Sequence, residues 1–145
     1  MMLRTFVVSV GVIVIGLGLG GAVGGRHPED GEHVRVLSSQ DIQEMLDGVE
    51  AKATIVEVTI GPGQSGLAHR HPGPGFVYVL EGEYELGIND EPTKRFKAGE
   101  TFYEPTGCLH RVSRNPSDKG PTRLIAVVLH SRDTDQIAVP VEHHQ

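Results

Sequence analysis

Turn-forming residues divide most of this chain into short segments, and this division is the feature that most restricts its fold. Of the 145 residues, 19 are glycine and 9 are proline, and β-branched residues are frequent between them. Such a composition favours short strands joined by tight turns. The spacing predicts strands at residues 33–37, 53–60, 67–71, 76–80, 83–88, 93–97, 100–104, 110–114 and 122–130. Evenly spaced short strands are typical of an all-β sandwich or barrel.

One short segment departs from the strand pattern. Ser38 precedes Asp41 by three residues, which is the spacing of a helix-capping box. The residues from Ile42 to Leu46 are therefore predicted to form one or two helical turns that end near Gly48.

The N-terminal segment differs in character from the rest of the chain. After Arg4, residues 5–23 carry no charge and include a long apolar run, and small residues follow with the cleavage pattern Ala22-x-Gly24. This order predicts a signal peptide at residues 1–25 and export to the periplasm or the extracellular space. The alternative is an uncleaved membrane anchor at residues 5–23, because a segment of that length can just span a bilayer.

The remaining chain is predicted to be a single domain. Residues 26–33 are interpreted as a polar linker, residues 34–140 as the β-domain and residues 141–145 as a tail. Cys108 is the only cysteine, so an exported domain depends on its core rather than on an intrachain disulfide. The net charge of −6, without a basic cluster, argues against nucleic acid as a partner. Membrane contact is expected only through an uncleaved N-terminal anchor.

Three histidines point to a metal site. His69 and His71 are two residues apart, so on a strand they lie on the same face, roughly 6.6 Å apart along it. His110 follows a Pro-x-Gly turn and can reach the same ion from a neighbouring strand. Imidazole suits zinc, iron, copper and nickel, so we expect a divalent transition metal, iron, manganese, zinc, nickel or copper, at these three residues.

The segments that carry these histidines resemble the two motifs of the cupin family. The first motif, G-x5-H-x-H-x3-4-E-x6-G, is met by Gly63, His69, His71 and Gly82. The second motif, G-x5-P-x-G-x2-H-x3-N, is met by Gly99, Pro105, Gly107 and His110. The likeness covers residues 55–128. It implies a double-stranded β-helix, or jelly-roll barrel, that holds a metal inside, in a family rich in oxygenases, isomerases and hydrolases. It also implies that the protein can form a homodimer.

Two positions depart from the motifs. Gly75 stands where the first motif has glutamate, and Arg114 stands where the second has asparagine, with Asn115 one residue later. A site of three neutral imidazoles without a carboxylate would leave a divalent ion its full charge, favour an anionic ligand and lower the pKa of bound water. On this interpretation, Gly75→Glu restores the four-ligand set and tightens metal binding.

Other residues are weaker candidates for the site. Glu104 is a minor candidate for the missing carboxylate, since it lies on the strand that leads to His110, whereas Glu81 and Glu83 sit at a turn and are expected to be solvated. Cys108 can face the interior, where a single cysteine is usually a small buried residue. Tyr78, Phe102 and Tyr103 could line a pocket, although aromatic residues on strands are usually core. The histidines at positions 27, 33, 130, 143 and 144 lack a motif and are interpreted as solvated or incidental.

Two classes of function remain open. The first is a metal-assisted enzyme, such as an oxygenase, that acts on a small organic anion. The second is a non-catalytic protein that binds a sugar or a small acid in the barrel. A barrel that has lost its metal and serves as an assembly module is less favoured, because all three histidines are present. No general base can be named from the sequence.

Overall fold

The computed structural model describes residues 12–13 and 31–141. The regular secondary structure in those residues consists of β-strands alone. The strands are β1 (Val12–Ile13), β2 (Glu32–Leu46), β3 (Val49–Ile60), β4 (His69–Arg70), β5 (Gly75–Glu81), β6 (Glu83–Ile88), β7 (Lys94–Lys97), β8 (Thr101–Glu104), β9 (Leu109–Arg114), β10 (Thr122–Ser131) and β11 (Val139–Pro140). They form two antiparallel sheets, in the orders β1-β2-β3-β10-β5-β8 and β11-β4-β9-β6-β7. The prediction of an all-β, two-sheet domain is confirmed.

The hydrophobic core lies between the two sheets. Side chains alternate along β5, where Val77 and Val79 are buried while Phe76 and Tyr78 face outward. The core combines residues of the larger sheet with two from β6 of the smaller one, namely Ile60, Val77, Val79, Leu124, Tyr84 and Leu86. Full burial of each aliphatic side chain contributes about 1.5–3 kcal/mol.

The predicted helix at residues 42–46 is wrong, because this segment is the end of β2. Asp47 and Gly48 both have positive φ, 51° and 78°, and form the two-residue turn that joins β2 to β3. An Asp-Gly pair favours this type I′ turn, whose twist matches that of the flanking strands. Pairing shifts register between Asp41 and Met45, so the strand is irregular where its polar pattern resembled a helix. A segment of five residues is also too short to form a stable helix without tertiary support.

Most of the predicted signal peptide or anchor at residues 1–25 lies outside the described residues. Val12 and Ile13 are the exception, and their backbone pairs with β2 opposite Arg35 and Val34. Over the described ranges, no helix has the length and apolar character needed to cross a membrane. β2 begins at Glu32, which is within the segment predicted to be a linker, and the described chain ends at Val141.

Candidate metal centre

Strand pairing brings the three predicted histidines together. His69 on β4 lies directly opposite His110 on β9, and His71 follows β4 immediately. The three ring centroids are 4.6–5.0 Å apart, and one nitrogen from each ring lies within 4.8 Å of the others. The structure therefore places all three rings around one point.

Hydrogen bonds fix the orientation of two of these rings. His69 Nδ1 donates to the carbonyl oxygen of Leu67 at 2.8 Å, and His71 Nδ1 donates to that of Ile137 at 2.5 Å. Because a carbonyl can only accept, each Nδ1 carries the proton and each Nε2 of the neutral ring presents a lone pair. Backbone carbonyls orient metal-binding histidines in this way in many proteins. The two Nε2 atoms lie 3.3 Å apart, a separation at which two lone pairs repel.

His110 is the most buried of the three histidines, with 2% of its surface exposed. Neither of its ring nitrogens makes a hydrogen bond with any described residue. Its Nε2 is 3.1 Å from Oε1 of Glu104, close but without the geometry of a hydrogen bond. Buried polar nitrogens without a partner are costly, so a His110 nitrogen is well suited to coordinate a cation.

Glu104 brings a carboxylate next to the histidine cluster. It is 3% exposed, and its Oε2 lies 3.3 Å from Nε2 of His71. Glu104 on β8 is directly opposite Gly75 on β5, so the carboxylate comes from the strand next to the motif position. A Cβ on Gly75 would lie 2.6 Å from Glu104 Oε2, which shows that the glycine makes room for this side chain. The expected group of three histidines is found, and a carboxylate that the sequence did not predict there lies beside two of them.

Burial keeps the imidazoles of His69 and His71 neutral. It lowers the pKa of His69 to about 4, more than the hydrogen bond to Leu67 raises it. Burial also lowers the pKa of His71, against the opposing effect of the Glu104 carboxylate. Near neutral pH these rings are therefore in the form that binds metal. Three imidazole nitrogens and one carboxylate oxygen suit a divalent transition metal.

A β-bulge places Ser113 on the same side as His110. Gly87 and Ile88 on β6 pair with Val112 and His110, so Arg111 is an extra residue on β9. Bulges of this kind turn side chains toward a site. His110 and Ser113, three residues apart, are both buried as a result.

The bulge also explains why the asparagine of the second motif comes one residue late. Asn115 is completely buried, and its Nδ2 donates to the carbonyl oxygens of Ile60, Gly61 and Gly120 at 2.8–3.1 Å. Its Oδ1 accepts a hydrogen bond from the backbone of Ser117. Asn115 therefore joins the end of β3 to the loop between β9 and β10, and it takes no part in the histidine cluster.

The histidine cluster opens into a cavity of about 70 Å³ between the sheets. Its polar lining consists of His69, His71, Glu104, His110, Glu32, Ser113 and Tyr84. Its apolar lining consists of Val34, Val56, Val58, Val77, Leu124, Ala126, Val128, Ile137 and Ala138. Such a mixture of apolar walls and a few polar groups is typical of a small-molecule site. Sequence reasoning did not identify Glu32, Ser113 and Tyr84, and only the unusual spacing near Asn115 could have indicated the bulge.

The cysteine and the aromatic residues that were weaker candidates for the site lie outside the cavity. Cys108 is buried, as expected for a structural cysteine, and burial raises the pKa of its thiol. Tyr78 and Tyr103 are exposed on the outer face of the sheet, whereas Phe102 stacks on Tyr84 in the core. None of these three aromatic residues lines the cavity.

The remaining histidines do not join the cluster in the part of the chain that the structure describes. The expectation that His130 is solvated is wrong, because it is 2% exposed and its Nε2 lies 2.8 Å from the hydroxyl of Thr54. His33 is exposed. The histidines at positions 27, 143 and 144 lie outside the described residues.

Comparisons with known proteins agree with this fold. The family model for the cupin domain matches residues 56–128. A Klebsiella pneumoniae protein with a double-stranded β-helix domain is 20% identical, with a TM-score of 0.60 over 81% of this chain and 90% of its own. Oxalate oxidase (24% identity, TM-score 0.58) and the lyase DddQ of Ruegeria pomeroyi (21%, 0.55) align over 79% and 83% of this chain. The chain spans 57% of each of these two proteins. No curated protein sequence matches it.

Proposed function

This chain belongs to the cupin family, and we propose that it binds one divalent transition metal ion through His69, His71, His110 and Glu104. The observation that carries the proposal is the pair of Nε2 atoms 3.3 Å apart on His69 and His71. Each ring has already donated its Nδ1 proton to a carbonyl, so no hydrogen is available to join the two lone pairs. A cation between them removes the repulsion and gives one of the two buried nitrogens of His110 a partner.

The charge of this ligand set favours a small organic anion in the cavity. Three neutral imidazoles and one carboxylate leave a divalent ion with a net charge of about +1. The other polar residues of the cavity are Glu32, Ser113 and Tyr84, and its remaining walls are apolar. When bound, the ion supplies Lewis-acid polarisation of an oxygen of the ligand. The Glu104 carboxylate would lower the net charge of the bound ion. The carbonyls of Leu67 and Ile137 hold the rings of His69 and His71 in place.

The reaction class we favour is a metal-assisted enzyme, with oxygenation of a small acid as its leading form. The alternative is a protein that holds a small acid or sugar without turnover. Dioxygen uptake with a bound acid supports the enzyme, and thermal stabilisation by the same acid without product formation supports the binding protein.

Metal analysis tests the central proposal. Protein purified without a histidine tag is loaded, dialysed and measured by mass spectrometry of its metal content. We expect about one ion per chain in the wild type and a large loss in His110→Ala and Glu104→Gln. His33→Ala is the matched control, because His33 is exposed and does not line the cavity. A wild-type protein that retains no transition metal, or a His110→Ala variant that retains it fully, contradicts the proposal.

We also propose that residues 1–25 direct export. The support is the order of Arg4, an uncharged apolar run and the Ala22-x-Gly24 pattern. The intact mass of protein recovered from the periplasm or the medium tests it. Loss of the segment supports a cleaved signal peptide, and a full-length chain in the membrane fraction supports the anchor.

A further inference from the structure

The cavity has a second polar group apart from the histidine cluster. Glu32, at the start of β2, lines the cavity together with Ser113 and Tyr84. The Ser113 hydroxyl donates to Glu32 Oε2 at 3.1 Å, and the Tyr84 hydroxyl donates to Ser113 Oγ at 2.9 Å. Tyr84 and Ser113 are 3% and 5% exposed, so this chain of hydrogen bonds is built into the interior.

The backbone around Glu32 is shaped to hold its carboxylate. A Cβ on Gly66 would lie 1.7 Å from Glu32 Oε2, so the carboxylate rests against a glycine that has no side chain to displace it. Gly66 is itself fixed to β9, because its backbone nitrogen donates to the Ser113 carbonyl at 2.8 Å. Ser113 thus holds the glycine with its backbone and the carboxylate with its side chain, and the bulge at Arg111 turns that side chain inward.

The direction of the hydrogen bonds decides what Glu32 can accept from a ligand. Tyr84 donates to Ser113 and Ser113 donates to Glu32, so the donors in this chain are used within the protein. Glu32 Oε1 makes no hydrogen bond with another described side chain or backbone group, and an ionised carboxylate can only accept. Burial raises the pKa of Glu32, and the hydrogen bond from the Ser113 hydroxyl opposes this effect. A further hydrogen-bond donor would therefore stabilise the charged form of the carboxylate.

We propose that Glu32 anchors the end of the ligand that is not bound to the metal, by accepting a hydrogen bond from a hydroxyl or amino group. This rests on the proposed metal function and narrows its ligand class. The ligand is a small compound with an anionic oxygen at one end, a hydrogen-bond donor at the other and an apolar segment between them. The apolar segment contacts the valine and alanine side chains of the cavity wall.

Calorimetry on metal-loaded protein tests the anchor with matched probes. The probes are unbranched alkanoates of three and four carbons and the same acids with a terminal hydroxyl group. A hydrogen bond to a charged acceptor is worth about 1.5–3 kcal/mol, so we expect the better-fitting hydroxy acid to bind about tenfold or more tightly than its parent. Glu32→Leu is expected to abolish this preference, measured as the ratio of the affinities of the hydroxy acid and its parent within the variant, while the variant still retains metal.

Controls separate this inference from the metal proposal. Glu44→Leu changes an exposed carboxylate on the same strand and keeps the hydroxyl preference. Should Glu32→Leu fail to fold, Glu32→Gln gives a weaker preference, because a neutral acceptor forms a weaker bond. A wild type that binds metal and alkanoates but shows no hydroxyl preference overturns the anchor alone. A wild type that binds no metal overturns both proposals.

Discussion

Substitution of Gly75 by alanine is expected to weaken metal binding although Gly75 is not itself a ligand. The new Cβ would lie 2.6 Å from Glu104 Oε2, whereas real Cβ contacts do not come below 3.0 Å. The carboxylate oxygen must therefore move by at least the difference, about 0.4 Å. Metal–ligand distances tolerate about 0.2 Å, so the displacement is twice what the site accepts. Disturbance of groups that orient ligands typically costs about 10- to 100-fold in metal affinity, and we expect a loss in this range.

Competition with a calibrated chelator, followed by metal analysis, measures this loss. Gly120→Ala is the matched control, since a Cβ there meets nothing within 4 Å. The melting temperatures of both metal-free variants should stay close to that of the wild type. Wild-type metal affinity in Gly75→Ala would show that Glu104 is not a ligand or that its side chain moves freely.

Moving the glutamate from position 104 to position 75 tests the contact between these two residues in a second way. Contrary to the expectation from sequence, Gly75→Glu alone should lower metal affinity, because two glutamate side chains would occupy the space of one. Combining Gly75→Glu with Glu104→Gly returns the carboxylate to the motif position, and we expect it to recover much of the lost affinity. A double variant that binds worse than both single variants would refute this reasoning.

Three further predictions concern stability. Asn115→Ala should cost about 4 kcal/mol by chemical denaturation, at about 1 kcal/mol for each of the four lost hydrogen bonds, and a cost below 1 kcal/mol contradicts the role of Asn115 as a loop junction. Thr54→Val should cost about 1–3 kcal/mol because it leaves His130 Nε2 without its donor, whereas Thr54→Ser should cost much less. Hydrogen bonds from Arg35 and Arg123 lower the pKa of Glu57, so its contribution to stability is present above its ordinary pKa of 4.5 and is lost as the pH falls through the lower folded value. The difference in melting temperature between wild type and Glu57→Gln should therefore shrink with acidification, and a constant difference contradicts the assignment.

The sequence identified the elements that depend on local pattern. The strand at residues 83–88 coincides with β6, because turn residues bound it on both sides, Gly82 before it and Asn89 after it. His69, His71 and His110 were found because their spacing is local and their pairing follows from adjacent strands.

Features that depend on pairing between distant strands could not be predicted. Glu104 lies beside the histidine cluster only because β8 is in register with β5 opposite Gly75. The end of β2 is a strand because β3 pairs with it, and the local sequence alone resembled a helix. Glu32 belongs to the site because β2 enters the cavity at its first residue, where the polar sequence resembled a linker.

The ligand set is divided between the two layers of the sandwich. His69 and His110 belong to the five-stranded layer, whereas Glu104 belongs to the six-stranded one. An ion held by all of them would be a further cross-link between layers that are also joined by apolar contacts and by the hydrogen bond from Ser113 to Glu32. Separation of the two layers near the histidine cluster would also break bonds to the ion. Release of the ion and local opening of the sandwich are therefore thermodynamically coupled. Amide hydrogen exchange in β4 and β8 should then slow together when metal is added.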